Sequence, residues 1–290
     1  MRREALVTHW GVTVPWILLL ALLAPAAGAQ PQPQKLYAEH CAACHGADRL
    51  GAIGPALLPE NLARLRRPEA VRVILEGRPA TQMPGFSDKF GAEEARALAE
   101  HIYSPLAAVP QWGEAQIKAS RIEHAKPASL PRRPVHKADP LNLFVVVETG
   151  DHHVTILDGD RLAPIHRFPS RFALHGGPKF TPDGRYVFFA SRDGWISKFD
   201  LYSLRMVAEV RAGINTRNVA VSGDGRYVMA ANYLPHSLVL LDADLNLVKV
   251  LETRDRDGKR TSRVSAVYDA APRKSFVAAL KDIPEVWEVS

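Results

Sequence analysis

The chain has 290 residues, 47% of them hydrophobic and 23% charged, and 37 Lys and Arg against 31 Asp and Glu give a formal net charge of +6. This balance is ordinary for a globular protein and excludes a disordered or low-complexity chain. The positive excess is too small and too scattered to point to nucleic acid, although it suits an acidic partner or an anionic ligand.

Arg2 and Arg3 open the chain, an apolar run follows from Val12 to Leu23, and Ala27-Gly28-Ala29 precedes Gln30. Positive start, apolar centre and A-x-A exit are the pattern of a secretory signal peptide, here residues 1–29. The competing reading is an uncut membrane anchor. The run is short for a span of about 20 residues, and Pro25 stands at its end. The expectation is export to a bacterial periplasm with no membrane span after cleavage. About 260 mature residues then leave room for two domains.

Cys41-Ala42-Ala43-Cys44-His45 contains both cysteines of the chain. Two thiols and an imidazole at this spacing are the attachment sequence of a c-type haem, with Cys41 and Cys44 forming thioethers and His45 reaching the iron. A disulfide, a zinc half-site and a thioredoxin-like pair compete. A zinc site would need a second ligand pair, and a redox pair has no use for the histidine that follows.

Residues 30–105 read as a small helical domain around that motif. Lys35–His40 leads into it. Pro68–Leu75 is a second helix, with proline in its first turn and Gly77 at its end. Ala92–Tyr103 is a third, with Ala95, Leu98, Ala99 and Ile102 on one face, and Pro105 stops it. The loop Thr81-Gln82-Met83-Pro84-Gly85-Phe86 carries the only methionine of this region. A thioether offered from such a loop is the usual sixth ligand of an electron-carrying cytochrome c, so Met83 is the second candidate for the haem c iron. Gly54-Pro55-Ala56 resembles the loop of class I cytochromes c in which a proline carbonyl accepts the proton of the ligating histidine. That resemblance covers residues 35–105 and assigns the role to Pro55. His40 and His101 are read as surface residues.

Residues 106–141 carry prolines at 110, 127, 131, 134 and 140, interspersed with Lys126, Arg132, Arg133 and Lys137. They read as a Pro-rich basic linker. Trp112 is expected to pin the linker to a neighbour.

From residue 142 to residue 290 the hydrophobic period becomes that of strands. Apolar pairs such as Leu143–Val147 with Val154–Leu157, and Tyr186–Ala190 with Trp195–Phe199, recur along the chain. Strand-end aspartates fall at 158, 200 and 242, 42 residues apart each time, and the Asp-Gly-Arg-Tyr turns at 183 and 224 are 41 apart. A period of about 40 residues predicts a β-propeller, one four-stranded blade per repeat, of which three to four repeats are present.

A haem c motif, a basic linker and these repeats together resemble the cytochrome cd1 family. The resemblance implies a class I cytochrome c domain, then an eight-bladed propeller holding haem d1, here with only its first three to four blades. Phe172-Ala173-Leu174-His175-Gly176-Gly177 looks like the family segment whose histidine ligates the haem d1 iron, which makes His175 the candidate ligand. Ser191-Arg192-Asp193-Gly194 and Gly213-Ile214-Asn215-Thr216-Arg217 look like segments whose arginines meet the haem d1 carboxylates, implicating Arg192 and Arg217. Against this, Arg192 could simply pair with Asp193. Tyr233 and His236 are placed near the pocket, His152 and His153 more weakly.

The family holds nitrite reductases and enzymes that complete haem d1. The stretch Ala279–Trp287, where a reductase carries a distal histidine, has none here. The haem c loop Gly46–Gly51 through Leu58–Leu62, with Thr81–Phe86, looks closer to the second group, and that resemblance implies oxidation of a dihydro-haem d1 propionate to acrylate, with electrons leaving through haem c. Nitrite reduction is the first alternative, and haem d1 binding or electron transfer without catalysis the second. The implied partners are the tetrapyrrole substrate, a periplasmic electron carrier and a nitrite reductase that receives haem d1.

Overall fold

The computed structural model describes residues 32–108 and 110–290, and the signal-peptide reading of residues 1–29 lies outside them. No helix among the described residues is long and apolar enough to cross a membrane.

The chain begins with α1 (Pro33–His40), α2 (Ala42–His45), α3 (Pro59–Leu62), α4 (Arg67–Glu76) and α5 (Ala92–Tyr103). Helix α4 starts where Arg66 N–H donates to the Glu69 carboxylate at 3.4 Å and ends at Gly77, whose φ of +78° is open to glycine. The α5 stripe Ala95, Leu98, Ala99 and Ile102 is buried, as its spacing predicts, against Tyr37, Ala70, Ile74 and Phe90. The linker region contains α6 (Glu114–Ser120) and a two-residue strand, β1 (Ile122–Glu123).

Fourteen further strands follow: β2 (Leu143–Glu148), β3 (His153–Asp158), β4 (Ala163–Pro169), β5 (Lys179–Phe180), β6 (Tyr186–Ala190), β7 (Trp195–Asp200), β8 (Arg205–Arg211), β9 (Asn215–Val221), β10 (Tyr227–Leu234), β11 (Ser237–Asp242), β12 (Leu247–Glu252), β13 (Val264–Ala270), β14 (Ser275–Leu280) and β15 (Val286–Val289). They form four antiparallel sheets: β2-β3-β4, β1-β8-β7-β6-β5, β12-β11-β10-β9 and β13-β14-β15. Strand β1 extends the second sheet, Ile122 opposite Glu209, so the linker becomes an edge strand.

This corrects the propeller expectation. Each hydrogen-bonded ladder stays within its own sheet, and no sheet curls or closes. Apolar side chains join each sheet to the next: Ile156 and Phe168 to Phe189 and Phe199, Phe188 and Ile196 to Val219 and Val228, and Met229 and Ala231 to Val267 and Ala278. The outer faces stay open, with Phe144 50% and Tyr268 59% exposed. The eight-bladed, class I cytochrome c-plus-propeller expectation thus reduces to a helical region followed by four open antiparallel sheets. The physical reason is that a 42-residue period specifies one sheet and its packing on its neighbour, both local properties. It carries no instruction for bringing the last sheet back to the first.

What the period does encode is turns. The Asp158 carboxylate accepts from Asp160 and Arg161 N–H at 2.9 and 3.1 Å, Asp200 from Tyr202 and Ser203 N–H at 3.3 Å each, and Asp242 from Asp244 and Asn246 N–H at 2.9 and 2.8 Å. Each carboxylate folds the chain back on itself as an Asx turn. Asp200 is fully buried and also holds Arg185 at 2.9 Å and the Ser203 hydroxyl at 2.7 Å. Asp200→Asn is therefore expected to cost about 3 kcal/mol, since it strands a guanidinium that is mostly enclosed. The half-buried Asp242, replaced in the same way, should cost no more than about 1 kcal/mol, because asparagine Oδ1 still accepts both turn N–H bonds and only the bond from Asn246 Nδ2 is lost. Urea unfolding followed by circular dichroism checks the order, and equal losses would show the Arg185 pair to be idle.

Candidate functional site

The helical region presents the first group of residues. Cys41 N–H bonds Tyr37 O at 2.9 Å, so α1 ends at the first thiol, and Gly46 with φ +80° turns the chain away after His45. His45 is 7% exposed, and its Nδ1–H donates to Pro55 O at 2.8 Å. A Cβ on Gly54 would lie 2.9 Å from the ring, so only glycine lets the loop lie against the imidazole. Burial, partly offset by the Pro55 carbonyl, keeps the ring below the usual histidine range, hence neutral, with Nε2 free of protein partners among the described residues. A neutral imidazole with one nitrogen fixed and the other open is what an iron ligand requires. Both cysteines are free thiols, half-buried, and burial first and Cys44 second push the Cys41 thiol up to about 11. The donor set fits a covalently held haem.

Met83 is half-buried on the loop after α4. Its carbonyl accepts from Arg78 N–H at 3.0 Å and its N–H donates to Thr81 Oγ1 at 3.2 Å, and the loop closes where Gly77 and Gly85 pack backbone to backbone. His40 and His101 are partly exposed and also pack against aromatic rings. The rings of His40 and Phe90 lie 5.7 Å apart, and those of His101 and Tyr37 5.5 Å.

The second group lies on the sheets. His175 sits between β4 and β5, its N–H bonded to Ala190 O at 2.7 Å and its Nδ1–H donating to Arg217 O at 2.8 Å. Gly176, with φ +85°, lets the chain pass so close that a Cβ would meet Arg217 O at 3.0 Å. Burial first, and the nearby guanidinium groups after it, hold the His175 ring below its ordinary range. It is therefore a second neutral imidazole with Nδ1 anchored and no protein partner for Nε2 among the described residues.

Arg217, on β9, is 8% exposed and has no carboxylate partner among the described residues, and its guanidinium lies 4.5 Å from the Tyr233 ring centre. Arg192 is exposed in the turn after β6 and does not pair with Asp193, which is buried and takes the Ser191 hydroxyl instead. Burial pushes the Asp193 carboxyl up to about 6. Arg217, Arg64 and Arg78 all act on Arg192 as like charges, and Arg217, Arg192 and Arg64 on His175, so the surroundings of His175 are basic. His236 donates to or accepts from Thr261 Oγ1 at 2.8 Å. His152 stacks edge-on against Phe172 at 5.0 Å, while His153 lies beside Asp151.

Two links join the groups. Gln82, next to Met83, donates to Asp151 O at 3.2 Å, and a Cβ on Gly150 would lie 2.9 Å from Ala80 O. Arg211, buried on β8, donates to Asp193 O at 2.8 Å and to Leu50 O at 2.6 Å, and stacks 4.7 Å over Trp112. Trp112 in turn donates to Arg211 O at 2.8 Å, so it does pin the linker region. Arg211 and the bond made by Gln82 escape a reading of the sequence because each acts across a long separation.

A family model described as cytochrome D1 heme domain matches residues 138–290, just over half of the chain. The chain belongs to that family. A second model, described as cytochrome C oxidase, cbb3-type, subunit III, matches residues 28–102. The dihydro-heme d1 dehydrogenase of Pseudomonas aeruginosa is 60% identical over 273 residues, 94% of this chain and 55% of that protein. The nitrite reductase of Stutzerimonas stutzeri is 26% identical over 280 residues, 89% of this chain and 48% of that protein. The solved structure of dihydro-heme d1 dehydrogenase NirN in complex with DHE superposes with a TM-score of 0.83 at 62% identity, covering 88% of this chain and 55% of the other. The chain thus spans about half the length of the relatives it matches.

Proposed function

We propose that this chain belongs to a dihydro-haem d1 dehydrogenase, which oxidises a propionate side chain of the tetrapyrrole to an acrylate in haem d1 biosynthesis. The observation that carries the proposal is the 60% identity across nearly the whole chain to a protein of that name, against 26% to a nitrite reductase. The lack of a histidine in Ala279–Trp287 agrees with it.

In this reading Cys41 and Cys44 hold haem c, His45 and Met83 ligate its iron, and Pro55 orients His45. His175 ligates the tetrapyrrole iron, while Arg192 and Arg217 take its carboxylates. Haem c, when bound, supplies a one-electron acceptor. The protein's own part is positional. Pro55 O and Arg217 O each hold one imidazole nitrogen so that the other is presented unprotonated. The guanidinium groups fix the tetrapyrrole by its acids and so set which side chain lies over the reactive face. Residues 1–29 direct export, which places the reaction in the periplasm with a soluble electron carrier to drain haem c and a nitrite reductase to receive the product.

The test is anaerobic mixing of haem-loaded full-length protein with dihydro-haem d1. The expected result is loss of two hydrogens from the tetrapyrrole by mass spectrometry together with reduction of haem c, and absence of both in His175→Ala. Tetrapyrrole that is retained unchanged would make the protein a carrier, and rapid nitric oxide from nitrite would make it a reductase.

A further inference from the structure

The Tyr233 ring gathers three cations: the Arg217 guanidinium at 4.5 Å, that of Arg263 at 5.2 Å and the Lys281 ammonium at 5.5 Å. They come from different strands and turns, so the tertiary fold, and not a run of basic sequence, brings them to one ring. Arg263 is neutralised by Asp282, which its Nε meets at 2.9 Å, and Lys281 is tied to the same turn by its N–H to Arg263 O at 2.8 Å. That leaves Arg217 and Lys281 without a carboxylate among the described residues. Arg217 is also more than nine-tenths buried. Like charges brought together without a counter-charge repel, and an aromatic face offsets only part of that. The arrangement is satisfied by an anionic ligand. An exposed lysine is usually only a solvated surface group. Here its partner ring is half-buried and shared with a buried, unpaired guanidinium.

We propose that Lys281 is a further carboxylate-binding residue of the tetrapyrrole site, and that Tyr233 is a positioning residue holding Arg217 and Lys281 a ring's width apart for two acids of one ligand. The proposal rests on the reading of His175 and Arg217 as a tetrapyrrole site, and adds that acids are gripped from the β14–β15 turn as well as from β9.

Haem-loaded full-length protein is titrated with metal-free coproporphyrin, a tetracarboxylate, and with its tetramethyl ester, following porphyrin fluorescence at several salt concentrations. Lys281→Ala should raise the Kd of the acid about tenfold at low salt, or about 1.4 kcal/mol, reduce its salt dependence and leave the ester unaffected. Lys281→Arg should restore the acid to within about twofold of the parent. Tyr233→Leu should weaken the acid as Lys281→Ala does, while Tyr233→Phe keeps the ring and the affinity. An acid Kd unchanged by Lys281→Ala, an equal loss for the ester, or no binding of the acid to the parent protein would each overturn the assignment. The probe carries no iron and is not oxidised. A failure here therefore leaves the dehydrogenase reading standing, and a failure to convert dihydro-haem d1 leaves this one standing.

Discussion

The Cys41→Ser, Cys44→Ser double variant is expected to lose covalent haem completely, so that no haem stain follows the polypeptide on a denaturing gel and its mass is that of the bare chain. The chain has no other cysteine to substitute. Each single variant keeps one thioether and should still carry haem through it. In the double variant His45 keeps its orientation, because its bond to Pro55 O depends on neither thiol. Haem added to that variant should therefore bind reversibly and be extracted by acidified solvent, with a histidine-ligated spectrum. Covalent haem in the double variant would show that attachment lies elsewhere and would remove Cys41 and Cys44 from the site.

The parts legible from sequence are those set by neighbours along the chain. The α5 stripe at Ala95, Leu98, Ala99 and Ile102 needed only helical periodicity, and the aspartates 42 residues apart marked strand ends, at which β3, β7 and β11 stop. The position of Pro55 beside His45 was legible because the two are ten residues apart within one loop. Non-local facts were not legible. The pairing of Ile122 with Glu209 joins residues whose proximity no period records, and the openness of the four sheets is a property of the whole row. Arg192 and Arg217 looked alike as arginines near turns, yet one is exposed and the other buried. Burial of a charge depends on everything packed around it, and that distinction gives the two residues different energetic consequences.

Those consequences are sharpest in Arg217→Leu, which is expected to make the protein more stable without tetrapyrrole and much worse at binding one. The residue is 8% exposed, and its guanidinium lies against the Tyr233 ring and meets no carboxylate among the described residues. An enclosed charge carries a desolvation cost of several kcal/mol, and a cation–π contact such as the one with Tyr233 returns only about 1 kcal/mol. Leucine has no charge to desolvate and fills part of the same space, so a net gain of about 1 kcal/mol in urea unfolding is expected. The bond from His175 Nδ1–H runs to the Arg217 backbone carbonyl, so the imidazole stays in place whatever the side chain. Affinity for a tetracarboxylate porphyrin should fall about a hundredfold, since a charge-assisted hydrogen bond contributes about 2 to 3 kcal/mol. With ligand at about 100 times the parent's Kd, binding stabilises the parent by about 2.7 kcal/mol and the variant far less, so the order of stability inverts. Unfolding midpoints measured with and without the porphyrin show whether the lines cross. A variant already less stable in its absence would mean that protein groups satisfy the guanidinium, and that Arg217 is part of the fold rather than a charge held in readiness for a ligand.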